Sequence, residues 1–299
     1  MSDLLLSYRE HSFCVRRDDL ALAVVRGPDR VRWLNGMVST DVAKVTHGHG
    51  ILSLAVGRTG KVLAEIVVLA RADELVLVVD AHVRADLVAH LARHLIMDDA
   101  EVLAVDGWRV VQVVGKGAHD ALEAHRQHGL GEAHSLVDTG AGYDGYLLVN
   151  QTDMVADERG HDDAEVESLR IARGLPRVRV DYNEMHYPQE ALVEKTHVAF
   201  DKGCYLGQEV VCMLELRGHV KRKLALVEIG TAHPLGTPVT SGDGTRVGEL
   251  GSSATSLLNQ GKTLAFAMIK RAFTGAGCEL RIGDAPALVV VPPLPEPAS

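Results

Sequence analysis

The chain has 299 residues, of which 46% are hydrophobic and 24% charged, with a formal net charge of −9. That length allows two or three domains and a sizeable core, although aromatics are only 4%, so Val, Leu and Ala must fill it. The acidic balance argues against broad nucleic-acid or anionic-membrane binding and leaves room only for a local basic patch.

In chain order, residues 21–26 are apolar and β-prone, and Gly27-Pro28 ends them. Residues 29–37 read as a short helix. Residues 51–56 and 62–70 read as strands, with Gly57-Arg58-Thr59-Gly60 as the hairpin turn between them. Residues 75–79 form another apolar run. Residues 82–97 carry apolar residues four apart and predict an amphipathic helix. A strand over 108–114, a break at Gly115-Lys116-Gly117 and a helix over 118–128 follow. Gly142 to Gly145 then leads into a strand over 146–150. Strand, glycine break, helix and glycine turn thus occur twice, which suggests a duplicated βαβ-rich unit with ferredoxin-like halves.

Residues 162–173 predict a helix capped by Asp162 and Glu165 and stopped by Gly174 and Pro176. Residues 177–188 read as irregular. From Arg222 onward the texture changes to short strands with glycine turns, at 223–229, 237–240, 246–252, 262–269, 278–282 and 287–291. That spacing predicts a small antiparallel barrel or sandwich. The fold class expected is α+β; two ferredoxin-like lobes over residues 1–218 and a C-terminal antiparallel β-barrel over 219–299 are what a family resemblance, carried by residues 202–209, implies. No apolar leader and no apolar span of membrane length is visible, so cytoplasm is the expected location and no membrane contact is expected.

The stretch richest in chemistry is Lys202-Gly203-Cys204-Tyr205-Leu206-Gly207-Gln208-Glu209. Leu206, Val210, Val211 and Leu214 fall at helical spacing, and Gly218 follows as a stop. Cys204 is then expected at or just before a helix N-terminus, close to Lys202. Both neighbours favour thiolate over thiol. The plainer alternative is a tight loop entering a core helix, with an inert buried cysteine. The other cysteines are Cys14, Cys212 and Cys278. No CxxC spacing occurs, so no zinc knuckle or dithiol motif is visible, and the thiols read as free in a reducing compartment. Gly115-x-Gly117 lacks the third glycine of a dinucleotide loop. His47-Gly48-His49 lacks a third ligand at metal spacing, and no metal site is expected. Lys221-Arg222-Lys223, with Arg217 and His219 ahead of it, is the densest basic cluster. It suits an anionic ligand tail, RNA phosphate or a solvated linker equally.

Lys-Gly-Cys-Tyr-x-Gly-Gln-Glu resembles the signature of the YgfZ-type folate-binding proteins, relatives of the glycine-cleavage aminomethyltransferases. Arg170-Ile171, Gly174-Leu175-Pro176, Pro188-Gln189-Glu190, Gly27-Pro28-Asp29 and Thr40-Asp41-Val42 extend the resemblance over most of the chain. The resemblance implies a tetrahydrofolate-binding accessory protein, using tetrahydrofolate or a one-carbon derivative, that supports assembly or repair of iron–sulfur proteins. Its partners would be folate and iron–sulfur client or assembly proteins, with nucleic acid not expected. On this reading Cys204 is the reactive thiol and Lys202 its electrostatic partner. Tyr205, Gln208 and Glu209 contact the cofactor, and Arg170 is a carboxylate clamp or a structural ion pair. The rival readings are a folate-dependent one-carbon transferase using an acid such as Glu65 or Asp80, and an interaction module that has lost folate.

The chain departs from the family pattern at three places. The aspartate pair of the aminomethyltransferases falls on Ala64-Glu65, so the position tied to chemistry is an alanine, which exchanges no proton. The family's Arg-x-Glu-Ala-Gly reads Arg170-Ile171-Ala172-Arg173-Gly174, which removes the glutamate expected against a pterin. Val210-Val211-Cys212-Met213 lacks the arginine that usually follows the motif.

Overall fold

The computed structural model describes residues 3–128, 131–136, 144–150, 158–258 and 262–293. The chain divides into two compact units, one of Leu6–His161 with Lys195–Gln208, the other of Met1–Leu5, Asp162–Glu194 and Glu209–Glu296. The helix α1 (Asp3–Glu10) opens the chain and β1 (Phe13–Arg16) follows. Next come β2 (Leu20–Arg26), α2 (Arg30–Asn35), β3 (His49–Val56), β4 (Val62–Ala70), β5 (Glu74–Asp80), α3 (Arg84–Ala92) and β6 (Glu101–Val105). The second half holds β7 (Trp108–Val114), α4 (Ala118–His128), β8 (Glu132–Leu136), β9 (Asp144–Asn150) and β10 (Glu158–Gly160). Residues 142 and 143 of the expected glycine turn lie outside the described residues.

These ten strands form one sheet in the order β10-β1-β7-β9-β8-β3-β4-β5-β2-β6. Within it, β6-β2-β5-β4 is the ferredoxin-like order for a β2-α2-β4-β5-α3-β6 path. The order β1-β7-β9-β8 repeats it, but the N-terminal strand β1 takes the fourth place. The duplication seen in the sequence is therefore real in topology, and the second copy borrows its last strand from the start of the chain. The halves join where β3 runs parallel to β8, with His49 opposite Ser135 and Gly50 opposite Leu136.

Alternation of side chains sorts the apolar residues onto the sheet's two faces. Ala23, Val25, Ala55, Ala64, Ile66 and Val68 pack with Trp33, Leu34, Leu87 and Leu91 of α2 and α3. On the other face, Leu22, Val24, Val67, Leu69, Val76 and Val78 meet Val110, Tyr146 and Leu148 of the second half. The sheet is curled, and both halves share that inner apolar face.

The other unit contains α5 (Ala164–Ala172), α6 (Pro188–Ala191), and six strands: β11 (Arg222–Ile229), β12 (Pro238–Ser241), β13 (Arg246–Thr255), β14 (Thr263–Lys270), β15 (Glu279–Ile282) and β16 (Ala285–Val290). The strands close into a barrel in the order β11-β14-β13-β12-β15-β16, with β16 returning to β11. Closure removes the sheet edges. The helices α7 (Glu194–His197) and α8 (Gln208–Arg217) complete the chain. Between Arg222 and Ile282 the described residues hold one short 3-10 turn, Arg271–Phe273, and otherwise strands and turns.

Two expected helices have different bounds. α3 stops at Ala92, and Ile96 and Met97 are largely exposed to solvent. The chain instead turns back so that Asp29 N donates to Asp99 O at 3.1 Å and Asp99 N donates to Asp29 Oδ2 at 2.9 Å. The cap of α5 is Asp163, whose carboxylate accepts from the amides of Glu165 and Val166, and Asp162 lies outside the helix.

The irregular stretch after α5 is pinned by one buried carboxylate. Asp181, whose side chain has 0% exposure, accepts from Ser252 N at 2.8 Å, Ser252 Oγ at 2.7 Å and Arg177 N at 2.8 Å. It also accepts from Arg170 Nη1 at 3.1 Å. Asp181→Ala should therefore leave a buried guanidinium and two amides short of an acceptor. The expected loss is about 3–5 kcal/mol of unfolding free energy, measurable as a lowered urea midpoint. A change below about 1 kcal/mol would refute this role.

Candidate functional site

The site is built along a strand edge of the first unit. Among the described residues β3 pairs with β8 only through His49 and Gly50, so the rest of that edge needs other partners. Ser39 supplies them. Its amide donates to Leu54 O at 3.0 Å, its hydroxyl accepts from Leu54 N at 2.9 Å, and the same hydroxyl donates to His197 O. Thr40 N donates to Ser53 Oγ at 3.2 Å. The next layer of chain is residues 197–207. Ala199 N donates to Ser39 O and Leu206 N donates to Gly36 O, each at 3.0 Å.

Lys202 locks the two layers together. Its ammonium donates to Asn35 O at 2.6 Å, Val38 O at 2.8 Å and Thr40 O at 2.7 Å. An ammonium has three donors, and all three are used. Burial brings its pKa down to about 8, opposed by the negative charge of Asp41. The charge also stands over the Tyr205 ring, 5.2 Å from its centroid, a cation–π contact.

The rest of the motif follows from this anchor. Tyr205 is buried. Gln208 Oε1 accepts from Tyr205 N at 3.3 Å and so stiffens the turn before α8. Gly207 has φ +79°, and a Cβ there would stand 2.3 Å from Gly57 O. Only glycine permits both that conformation and that approach to the β3–β4 hairpin. Gly203 is different, because a Cβ on it would meet nothing within 4 Å. Cys204 is exposed, so the inert buried cysteine is not what folds here. The helix begins at Gln208, four residues after Cys204, so the thiol precedes the helix mouth instead of sitting in it. Glu209 is exposed in the first turn of α8.

A second pair of ionisable groups stands near this edge. His197 is buried, and its Nε2 is 3.2 Å from Glu65 Oε1, while its Nδ1 is 2.7 Å from Thr196 Oγ1. Glu65 keeps 30% of its side chain exposed. A neutral imidazole has one donor and one acceptor, so donation to Glu65 leaves Nδ1 to accept from Thr196. Nothing in the local sequence marks His197. Its neighbours in the fold, Glu65 and Ser39, lie more than a hundred residues away. Ala64, adjacent to Glu65, points to the opposite face and is part of the apolar cluster under α2 and α3.

Arg170 belongs to the other unit. Its guanidinium is bidentate to Glu167 at 2.9 and 2.6 Å. It also donates to Asp181, to Ser252 Oγ at 2.6 Å and to Leu175 O. Burial opposes the charge, but Glu167 and Asp181 outweigh it and raise the pKa. All five donors are engaged inside the unit. Ala172, two residues on, is fully buried. Pro188-Gln189-Glu190 forms α6. There Glu190 Oε2 accepts from Tyr187 N at 3.0 Å, and Gln189 Nε2 donates to Val211 O at 2.9 Å.

Residues 11–134 match the family model of the GCVT N-terminal domain. A tRNA-modifying protein YgfZ of Sodalis glossinidius is 26% identical over 235 residues, covering 73% of this chain and 71% of that one. The protein of the same name from Klebsiella pneumoniae is 27% identical over 224 residues, covering 69% and 68%. The structure of the glycine cleavage system aminomethyltransferase T from Bartonella henselae aligns with a TM-score of 0.79 at 18% identity, covering 97% of this chain and 88% of that one. The chain is thus similar to the GCVT N-terminal domain family over residues 11–134 and to YgfZ proteins in sequence, on a GcvT-like fold. In this YgfZ-like chain the signature splits by role. Lys202, Tyr205, Gly207 and Gln208 are built into the fold, whereas Gly203, Cys204 and Glu209 face outward.

Lys202→Met should strand three carbonyls at once, each normally paired when buried. The expected loss is about 2–4 kcal/mol, read by urea unfolding. Cys204→Ser should leave the melting temperature unchanged, because the thiol is exposed. A stable Lys202→Met protein, or an unstable Cys204→Ser one, would overturn this division of the motif.

Proposed function

We propose that this YgfZ-like chain is a tetrahydrofolate-binding accessory protein that supports tRNA modification through iron–sulfur enzymes, binding folate or a one-carbon derivative of it. The GcvT-like fold and the YgfZ relatives support the folate part, and the relatives' name supports the tRNA part. The iron–sulfur part rests on the resemblance of the motif. The observation that carries the reading is the exposed Gly203-Cys204 step, flanked by the anchored Lys202 and the buried Tyr205. A thiol presented this way needs no reorganisation before it contacts a ligand or a client. Cys204 is the contacting thiol, and Lys202 acts by holding its loop. Tyr205, Gln208 and Glu209 line or support the cofactor side, and Arg170 holds the barrel unit in shape.

The Glu65–His197 pair favours a second reading, a folate-dependent one-carbon transferase. A carboxylate in contact with imidazole is a common arrangement for moving protons. Asp80, the other acid considered, ends β5 and accepts from His82 N at 2.8 Å.

The two readings separate on one purified sample. Tetrahydrofolate should bind in a titration followed by protein fluorescence or calorimetry, and it should slow alkylation of Cys204 relative to Cys212 and Cys278. No binding at millimolar tetrahydrofolate would remove the folate reading and leave an interaction module. Aminomethyl transfer from a methylamine donor should be absent, and clear turnover would move the assignment to the enzyme.

A further inference from the structure

Four cations gather at one end of the barrel, with a fifth, Arg217, a few residues ahead of them in the chain, and their arrangement points to a partner. Lys221 and Arg222 lead into β11, Lys270 ends β14, and Arg271 follows it. Arg217 closes α8 just ahead of them. All five are exposed. Strand pairing sets Arg222 directly opposite Lys270, and Arg271 N donates to Lys221 O at 3.0 Å. Backbone pairing therefore sets the four barrel cations side by side at one end of the barrel, Arg222 and Lys270 on its outer side and Lys221 with Arg271 at the rim. Each side chain in this group lacks an ion-pair partner among the described residues. Lys223, the sixth basic residue of the stretch, instead reaches Glu194 at 3.8 Å.

Like charges directly opposite each other across a strand pair are destabilising. The chain has carboxylates to spare, at −9 overall, yet among the described residues pairs none with these five. A cluster of this kind is stabilised by an anion that accepts from several cations at once. A phosphodiester chain does so, because it repeats a full charge with two free oxygens at each link. A lone protein carboxylate satisfies one pair and leaves the rest. The overall acidity confines any polyanion to this patch and repels it elsewhere.

We propose that the Arg217, Lys221, Arg222, Lys270 and Arg271 face is an RNA-backbone contact surface. This rests on the role in tRNA modification proposed above and names the part of the molecule that touches the RNA. Contacts of this type go to phosphate and carry no base readout, so the surface would orient an RNA without selecting its sequence. Leu216 and Met213 are exposed on the same helix as Arg217, which makes an anionic bilayer the rival occupant.

The test uses the full chain, a fluorescently labelled bulk tRNA, and anisotropy at several salt concentrations. Binding should weaken steeply with salt. Lys270→Glu combined with Arg271→Glu should lower affinity roughly tenfold or more and reduce the salt slope by about 1–2. The milder pair Arg222→Gln and Lys270→Gln should do the same to a smaller degree. Melting curves and tetrahydrofolate binding should be unchanged in both, so loss of RNA binding is distinguishable from failure of the folate reading. Three results would overturn the proposal. They are no salt-sensitive tRNA binding by the unaltered protein, equal binding by the variants, and binding to phosphatidylserine vesicles without binding to tRNA.

Discussion

An ammonium held by three backbone carbonyls organises the site. The carbonyls of Asn35, Val38 and Thr40 come from the turn after α2, where the chain leaves helical pairing before it reaches β3. Such groups are costly to bury unpaired. Lys202 satisfies all of them with one side chain and joins segments more than 160 residues apart in sequence. Because the anchor is ionic and three-pronged, it fixes orientation as well as distance. Arginine, with its planar fork, does not reproduce a compact three-donor point.

From that anchor the rest of the signature has a physical cause. Gly207 has to pass over the Gly57 carbonyl, so it has no side chain. Tyr205 fills the space beneath and lies under the Lys202 charge. Gln208 spends its carbonyl on the turn's own amide. These four residues position the loop, and what they position is the Gly203-Cys204 step. A motif of eight residues thus contains more scaffold than chemistry. Substituting its scaffold residues tests folding before it tests function.

Much of this was legible in the sequence. The six barrel strands are short and set off by glycine turns, and all six form. The hairpin at Gly57–Gly60 and the helix α4 also stand where periodicity puts them. What was hidden depends on long-range pairing. The short strands β1, β8 and β10 have weak local patterns and exist because a neighbouring strand needs a partner. α3 ends early because Asp99 turns back to Asp29, a contact that no helical period reports. Lys202 was legible as a basic residue two positions before Cys204. Its three carbonyl partners were not, since main-chain groups leave no mark in a sequence. Arg170 was open between clamp and ion pair, and its five engaged donors favour the ion pair.

Strand alternation decides the remaining chemical question. Ala64 and Glu65 are adjacent in β4, so they face opposite sides of the sheet. Ala64 lies in the cluster beneath α2 and α3 with 1% exposure. A carboxylate placed there would be desolvated among Trp33, Leu34 and Ile66, at a cost of several kcal/mol unless it stayed protonated. Ala64→Asp is therefore a core disruption and not the restoration of a lost acid. Glu65 faces the side where His197 waits at 3.2 Å. If this fold ever moves a proton at the motif edge, the carboxylate that can take part is already present one residue along.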